Sequence, residues 1–275
     1  MPSYLSEIIA AHRRAASEDR RELDALVADA LASPTPASFT GAIRRSAAVA
    51  GGLAVIAEVK RRSPSKGPIA EDLDPADIGS EYVRGGAACL SVLTDAEFFG
   101  GCPADLAAAR RAAGVPVLRK DFTVAPADVC DARCMGADAV LLIVAALEDA
   151  ELKELLLLAD HLALDALVEV HDMDELDRAL SLGARLVGVN QRDLFTFEVD
   201  EERAIALAPR IPPDVMAVAE SGVRGADDAR RLAAAGYDAV LVGEAAVRAP
   251  DRAAAVHALC GHPVGARRRP DGDGY

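Results

Sequence analysis

Short apolar runs alternate with longer stretches of helical periodicity from about residue 53 onward. Apolar runs bounded by turn signals are typical of buried strands, whereas apolar positions that recur every three or four residues are typical of amphipathic helices. The predicted strands cover 53–59, 88–93, 115–119, 139–144, 166–170, 186–189, 216–219 and 239–242. Because these runs lack the alternation of a half-exposed sheet, the pattern predicts parallel strands that are buried on both faces.

Predicted helices separate the strands and complete a repeating unit. They cover 75–85, 103–113, 126–135, 148–162, 174–182, 201–208 and 225–235, with a last helix at 251–259. Prolines 75, 103 and 126 stand where a first helical turn tolerates proline, and glycines 85, 114, 136, 183 and 236 stand where a left-handed cap is wanted. The segments GGAAC, MGADAV, LGARLV and AGYDAV each close a helix and open a strand.

Eight such units in roughly 200 residues predict an α/β fold of the (β/α)8 TIM-barrel type. An open, doubly wound sheet is the alternative. No G-x-G-x-x-G follows the first predicted strand, which argues against dinucleotide binding.

The predicted barrel is flanked by two further segments. Residues 3–32 predict one extra helix, half-exposed and lying across one barrel end, which the segment SPTPAS (33–38) interrupts. We therefore predict a single TIM-barrel domain over 1–261 that includes an N-terminal helical extension over about 1–45. The charged, Gly- and Pro-rich residues 262–275 predict a disordered tail.

Composition narrows the class of protein. A length of 275 residues suits either two ordinary domains or one α/β barrel, and a net charge of −14 argues against a nucleic-acid partner. Five cysteines without zinc-type spacing predict a reduced, cytoplasmic protein. The N-terminus does not resemble a signal peptide, and the longest apolar runs are too short to span a bilayer, so we expect no membrane partner.

Lysine is scarce, and its positions are informative. Of the 30 basic residues only Lys60, Lys66, Lys120 and Lys153 are lysine, and the rest are arginine. A buried lysine can exchange its proton, whereas arginine stays protonated. An arginine-rich coding bias explains the scarcity, but it does not explain why Lys60 and Lys120 both end predicted strands.

Charged side chains recur where the predicted strands end, which is the active-site face of a TIM barrel. Alternation along the first strand places Glu58 and Lys60 on the same side, pointing into the barrel mouth. A single such residue is as readily a structural ion pair as a catalyst, but charges that converge from several strands indicate acid–base chemistry. The strand ends carry Glu58, Lys60, Lys120, Glu169, Asn190, Arg192 and Glu220.

Two glycine-containing turns predict a phosphate site after the seventh and eighth strands. Ser221-Gly222 and Gly243-Glu244 each lead into a predicted helix, a position where backbone N–H groups often bind phosphate. We expect the Glu244 side chain to point away and its N–H to contribute. The alternative is that these glycines only make tight turns. Four residues after the first strand are candidates to complete the site: Arg61, Arg62, Ser63 and Lys66.

Aromatic residues and histidines are weaker candidates. Phe98, Phe99 and Phe122 predict either loop anchors or an apolar wall for an aromatic substrate. The five histidines are scattered and suggest no metal set, and His171 is expected at the rim of the site rather than as a catalyst.

Together, eight segments resemble the indole-3-glycerol phosphate synthase family. In order from about residue 53 to 248 they are IAEVKRRSPSKG, LSVLTDAEFFGG, VLRKDF, GADAVLLIVAAL, LVEVHDMDEL, GVNQRDL, VAESGV and AVLVGEA. The resemblance implies a carboxy-lyase of tryptophan biosynthesis that needs neither metal nor cofactor. Its expected reaction closes the ring of 1-(2-carboxyphenylamino)-1-deoxyribulose 5-phosphate to give indole-3-glycerol phosphate, carbon dioxide and water.

The resemblance also implies roles for individual residues. Lys120 corresponds to the general acid for ring closure, and Glu169 to the base that acts during dehydration. Lys60 would hold the substrate carboxylate and, with Glu58, assist loss of the hydroxyl, while Asn190 would orient the intermediate. The implied binding residues are Phe99, Phe122 and Leu241 around the anthranilate ring, Ser63, Ser221, Gly222, Gly243 and Glu244 around the phosphate, and Arg192 and Glu220 elsewhere on the substrate.

The chain departs from the family pattern at two places. Gln191 stands where the family commonly has a second Asn, and Glu244-Ala245 where it also has small polar residues; neither change removes a catalytic group.

The implied partner is a small phosphosugar–anthranilate molecule, and the implied assembly is a monomer or weak homo-oligomer. The rivals are another phosphate-binding barrel, such as phosphoribosylanthranilate isomerase or a histidine-pathway isomerase, and a non-catalytic phosphosugar-binding paralogue.

Overall fold

A closed barrel of eight parallel strands forms the centre of a computed structural model, which describes residues 4–64, 66–193 and 196–267. Each strand pairs with the next, and β8 pairs with β1 in register from Ala54 opposite Ala239, which closes the sheet. The predicted TIM barrel is therefore confirmed, and the open sheet is excluded. The strands are β1 (Ala54–Val59), β2 (Cys89–Leu93), β3 (Val117–Lys120), β4 (Ala139–Ile143), β5 (Asp165–Val170), β6 (Leu186–Asn190), β7 (Met216–Glu220) and β8 (Ala239–Val242).

Helices surround the barrel, at boundaries within a few residues of those predicted. Pro75, Pro103 and Pro126 each occupy the first turn of a helix, as the sequence predicted. Glycine 85 was predicted as a left-handed cap, but it is right-handed and Gly86 takes the positive φ of 97°. The helices are α1 (Tyr4–Glu18), α2 (Leu23–Ala32), α3 (Phe39–Ala50), α4 (Pro75–Arg84), α5 (Pro103–Ala113), α6 (Pro126–Cys134), α7 (Asp149–His161), α8 (Met173–Ser181), α9 (Arg203–Leu207), α10 (Ala226–Ala234), α11 (Glu244–Arg248) and α12 (Arg252–His257).

Within the described residues, three helices precede the barrel where the sequence predicted one. The prediction of an unbroken helix over 3–32 is wrong because α1 ends at Glu18 and the chain turns before α2. Arg21 holds this turn: its guanidinium binds Asp19 and also Asp131 on α6. Helix α1 covers the C-terminal end of the barrel, and α2 packs on α6. Helix α3 covers the opposite end, where the Thr40 N–H donates to Asp165 at the start of β5.

The repeated Gly-x-Asp units have a structural explanation at the N-terminal ends of the strands. Asp138 precedes β4 and accepts a hydrogen bond from the N–H of Val117, the first residue of β3, at 2.9 Å. Asp238 precedes β8 and accepts one from the N–H of Ala217 in β7 at 2.8 Å. In both units the aspartate binds the free N–H of the neighbouring strand and so fixes the distance between two strands.

The C-terminal segment runs along the same end of the barrel as far as it is described. Leu53 N–H donates to the carbonyl of His262, and Gly265 N–H donates to the carbonyl of Ala233. Arg267 pairs with Asp238 at 3.2 Å. The predicted tail begins at residue 262, and its residues 268–275 lie outside the described part of the chain.

The described helices include none that combines the length and apolarity needed to cross a bilayer.

The barrel core consists of aliphatic residues of moderate size, and the largest fully buried side chains are Tyr82 and Tyr237. Both hydroxyls donate to backbone carbonyls, of Glu58 and Ala204, so neither is left unpaired in the interior.

We predict that Asp138→Ala destabilises the protein by about 3 kcal/mol. The carboxylate is buried and binds the Val117 and Ala37 N–H groups and Arg110, and all three would lose a charged partner. The urea midpoint measures the loss. Asp227→Ala is the matched control because that side chain is 89% exposed, and equal midpoints for the two variants would contradict the prediction.

Candidate active site

A cavity of about 740 Å³ opens at the C-terminal ends of the strands. Fifteen of the residues that the sequence predicted for the site line this cavity, although their roles stay predictions. They are Glu58, Lys60, Ser63, Phe99, Lys120, Phe122, Glu169, Asn190, Arg192, Glu220, Ser221, Gly222, Leu241, Gly243 and Glu244. Helix α1 adds Tyr4, Leu5 and Ile8, which the sequence did not assign to the site.

Lys120 lies at the centre of a buried charge cluster. Its ammonium nitrogen is 3.0 Å from Glu169 Oε2 and 3.6 Å from Glu220 Oε2. Asn190 donates from Nδ2 to the other oxygen of Glu169 at 3.0 Å. Four strands, β3, β5, β6 and β7, thus each place one polar side chain in a single network.

The cluster separates the protonation states of its members. Burial disfavours the charge on Lys120, but the carboxylates of Glu169, Glu220 and Glu58 outweigh it and raise the pKa of Lys120. Burial alone would raise the pKa of Glu169, but Lys120, His171 and Asn190 stabilise the anion and lower its pKa. Burial and the nearby Glu169 charge raise the pKa of Glu220 to about 8. At neutral pH the arrangement therefore holds one ammonium, one carboxylate and one neutral carboxylic acid.

A second pair, Glu58 and Lys60, stands beside the eighth strand. Both side chains point into the cavity and form an ion pair, as alternation along β1 predicted. Gly243 follows β8 directly behind this pair: a Cβ at that position would lie 2.5 Å from Glu58 Oε1 and 3.1 Å from Lys60 Nζ. The absence of a side chain at residue 243 therefore gives the pair its room.

A glycine within β6 makes equivalent room for Glu220. Gly188 is opposite Glu169 in the ladder of β5 and β6, and a Cβ there would lie 2.0 Å from Glu220 Oε1. Sequence reasoning did not single out this residue. The available signal was an isolated glycine inside a strand, which often marks a close approach of another group.

The turn after β7 has unusual backbone geometry. Ser221 has a φ of 64° and Gly222 one of 73°, and the side-chain amide of Gln191 donates to the Ser221 carbonyl at 2.7 Å. A left-handed serine is strained, and such strain is common at functional sites.

On the turn after β8, the Glu244 side chain pairs with Arg248 at 3.4 Å.

Two of the four residues that the sequence predicted to complete the phosphate site lie outside the cavity. Ser63 and Lys66 line the cavity, but Arg61 and Arg62 do not. Arg61 pairs with Asp105 and binds the Leu73 carbonyl, while Arg62 binds the carbonyls of Ala96 and Glu97. Both arginines therefore hold loops through hydrogen bonds to backbone carbonyls.

Aromatic rings form one wall of the cavity. Phe99 and Phe122 lie 6.4 Å apart between ring centroids, and the His12 ring lies 5.5 Å from Phe122. Tyr4 contacts Phe98 and Phe197 edge-on at 5.9 and 5.6 Å. Helix α1 therefore reaches the two loops that carry these rings, and the wall depends on its docking.

His12, Asp95 and Asp121 offer the donor types of a metal site within the described chain, with their ligand atoms within 4.8 Å of one another. Their contacts favour a hydrogen-bonded network instead. Asp95 binds His12 at 3.0 Å and the N–H groups of the loop that carries Phe98. Asp121 pairs with the Arg119 guanidinium at 3.0 Å, a fixed cation that would repel a metal ion.

His171, expected at the rim, is instead a buried neighbour of Glu169. Its side chain is only 11% exposed, and its Nε2 lies 3.4 Å from Glu169 Oε1. The error has a physical reason: residue 171 follows β5 and was assigned to a solvated loop, but helix α8 begins at Met173 and its Glu175 draws the ring inward.

Comparisons of sequence point to one family. The family model described as indole-3-glycerol phosphate synthase matches residues 5–259. Proteins named indole-3-glycerol phosphate synthase from Aromatoleum aromaticum, Micrococcus luteus and Acidithiobacillus ferrooxidans are 48%, 49% and 50% identical to the chain. The matches cover 95%, 91% and 90% of this chain and 100%, 95% and 95% of those proteins.

Solved structures with a similar shape are more distant. Thiamine phosphate pyrophosphorylase from Pyrococcus furiosus is 19% identical, with a TM-score of 0.55 over 77% of this chain and 95% of that one. N-acetylmannosamine-6-phosphate 2-epimerase from Clostridium perfringens is 13% identical, with a TM-score of 0.57 over 72% of this chain and 89% of that one. At such identity these similarities support the barrel fold alone.

We predict that Glu220→Gln stabilises the protein, and increasingly so as the pH rises from about 4.5 to 8. The pKa of Glu220 is raised from 4.5 to about 8, so the folded protein holds a proton that the unfolded chain releases. Folding therefore loses stability across that window, and a neutral glutamine does not. Melting temperatures measured at pH 5 and pH 8.5 test this.

Glu154→Gln on the exposed face of α7 is the control for a change of charge alone. A difference between Glu220→Gln and the unsubstituted protein that is the same at both pH values would contradict the prediction.

Proposed function

The chain belongs to the indole-3-glycerol phosphate synthase family, and we propose how the residues of its cavity carry out that family's reaction. The enzyme is a carboxy-lyase of tryptophan biosynthesis that acts on a small phosphosugar. Three chemical events are needed: a ring carbon must bond to a carbonyl carbon, carbon dioxide must leave, and water must leave. The first needs an acid and the last needs both an acid and a base.

Substrate binding uses the two halves of the cavity. The phosphate binds at the turns after β7 and β8, where Ser221, Gly222, Gly243 and the Glu244 N–H meet, with Ser63 opposite. The anthranilate ring lies against Phe99, Phe122 and Leu241. The charge cluster stands between these ends, which places the carbonyl of the sugar chain close to it.

Ring closure is assigned to Lys120. The substrate ring carbon that bears the carboxylate attacks the sugar carbonyl carbon, and Lys120 gives its proton to the carbonyl oxygen as the C–C bond forms. Carbon dioxide then leaves, and its bonding electrons restore the aromatic ring. Lys60 holds the carboxylate before this step, and its pairing with Glu58 fixes its position.

Dehydration is assigned to Glu169. The nitrogen lone pair, acting through the aromatic ring, expels the new hydroxyl group, and Lys60, paired with Glu58, gives the proton with which it leaves as water. Glu169 then removes a proton from the adjacent carbon, and the electrons form the double bond of the indole. Asn190 fixes the Glu169 carboxylate through Oε1, and Arg192, which lines the cavity, contacts the substrate or the loop that covers it.

One observation carries the assignment of roles. The Lys120 ammonium lies 3.0 Å from Glu169 and 3.6 Å from Glu220. Lys120, His171 and Asn190 keep Glu169 ionised, whereas burial and the Glu169 charge keep Glu220 neutral. An acid and a base thus coexist in one cavity at neutral pH. A non-catalytic sugar-binding protein has no need for such a costly arrangement.

The cellular setting is also part of the proposal. We infer a cytoplasmic monomer or weak homo-oligomer that binds no nucleic acid. The five cysteines, all in the described part of the chain, are free thiols, as a reducing compartment favours. The net charge of −14 opposes binding to polyanions.

Lys120→Met should lower kcat by at least about 10²-fold and change KM little, because a general acid contributes about 10²–10⁴-fold. The indole product is followed by fluorescence. Lys153→Met is a matched control, since Lys153 is an exposed lysine on α7. Near-normal turnover by Lys120→Met would refute the assigned acid.

Gly243→Ala should raise KM about tenfold and also lower kcat, because the new methyl group would displace both Glu58 and Lys60. Steady-state kinetics and inhibition by inorganic phosphate measure the two effects. Gly225→Ala is the control, since a Cβ there meets nothing within 4 Å. Unchanged kinetics in Gly243→Ala would contradict a substrate site beside this glycine.

A further inference from the structure

His171 is a buried titratable group for which the reaction scheme above has no role. It follows β5 directly, one residue after Val170, and its ring lies between two carboxylates. Nε2 is 3.4 Å from Oε1 of Glu169, and Nδ1 is 3.0 Å from Oε2 of Glu175. The ring therefore connects the assigned base to a glutamate on α8.

Glu175 fixes the ring from the far side. Its Oε2 accepts both the His171 backbone N–H, at 2.8 Å, and the ring Nδ1. Asp172 caps α8 by accepting the N–H of Glu175, which holds the first turn of the helix against the end of β5. The orientation of the ring is thus set by the strand end and the helix start together, and Nε2 has to face Glu169.

The surroundings keep the ring positively charged. Burial opposes its charge, but Glu169 and Glu175 outweigh burial and raise the pKa of His171 to about 9. The other titratable groups near Glu169 come from different strands: Lys120 on β3 and Glu220 on β7. The uncharged amide of Asn190 on β6 completes the shell.

Glu169 therefore has two cationic neighbours, and only one of them transfers a proton in the proposed reaction. Lys120 binds Oε2, and in the proposed reaction it gives its proton to the substrate carbonyl. His171 faces Oε1 and gives no proton away in that scheme. Once Lys120 is neutral, His171 is the cation that still stabilises the Glu169 anion, at the stage when Glu169 has to accept a proton.

We propose that His171, held by Glu175, is a positioning residue that keeps Glu169 ionised and aimed at the substrate after Lys120 has transferred its proton. This inference rests on the role proposed for Glu169. The competing explanation is structural: Glu175 binds the backbone N–H of residue 171, so the contact of the ring with Glu169 would be incidental to the start of α8.

The two explanations differ in the pH dependence of turnover. His171→Asn removes the cation and keeps a polar side chain of similar size. We expect kcat at pH 7 to fall about tenfold and the acidic limb of the kcat–pH profile to move up by about one pH unit, because an adjacent cation favours the ionised carboxylate. KM should change by less than about threefold, since the ring does not line the cavity.

Glu175→Gln is the second variant. It keeps an acceptor for the backbone N–H but removes the charge that holds the ring protonated, so the acidic limb should move in the same direction by a smaller amount. His161→Asn, at the exposed end of α7, is the matched control and should leave the profile unchanged. Melting temperatures of all variants identify any general loss of structure.

An acidic limb that stays in place in His171→Asn overturns the proposal, even if kcat falls, because a purely structural role predicts that result. If His171→Asn does not fold, an unmoved limb in Glu175→Gln overturns it. Glu169→Gln in the same assay separates this outcome from failure of the proposed function. Full activity of Glu169→Gln refutes the assigned base, whereas an inactive Glu169→Gln beside an unmoved limb refutes the role of His171 alone.

Discussion

The sharing of one ammonium by two buried carboxylates is the constraint on which the site depends. Lys120 can neutralise Glu169 or Glu220 but not both, and the interior is too poorly solvated for two anions. One carboxyl must therefore hold a proton, and their unequal partners decide which. Glu169 also accepts a hydrogen bond from Asn190, whereas Oε1 of Glu220 has no hydrogen-bond partner within the described residues, and Glu220 stays neutral. The division between acid and base thus follows from burial, and no residue type alone would have produced it.

The barrel supports this arrangement by separating two kinds of polar group. At the N-terminal ends of the strands, Asp138 and Asp238 bind backbone N–H groups and tie neighbouring strands together. At the opposite ends, Glu58, Glu169 and Glu220 have few such bonds and face a cavity. Aspartate satisfied by backbone groups stabilises the fold, while glutamate held near other charges costs stability and supplies chemistry. The same closed sheet carries both because its two ends share no side chains.

Much of the fold and of the site could be predicted because both follow local rules. Eight repeats of an apolar run and a helical stretch predicted the barrel. The rule that the parallel strands of a barrel end on one face then placed Lys60, Lys120 and Glu169 together. What sequence missed depends on contacts between distant parts of the chain. Helix α1 was predicted as half of a longer helix, and its docking through His12 onto Asp95 joins residues 83 positions apart. Gly188 was not singled out, and His171 was assigned to the rim, for a related reason: their surroundings depend on side chains of other elements, Glu220 and Glu175.

The position of α1 over the cavity has a consequence for how the molecule is made. Helix α1 is synthesised before the barrel, and the rings that its Tyr4 contacts, Phe98 and Phe197, are added later. Its apolar residues Leu5 and Ile8 are buried in the folded protein, where they line the cavity that the completed barrel forms. Because β1 pairs with β8, the first strand also lacks one of its two neighbouring strands until β8 has been synthesised. A nascent chain of this protein therefore exposes apolar surface until the later strands have been synthesised, which is the condition under which incomplete chains aggregate.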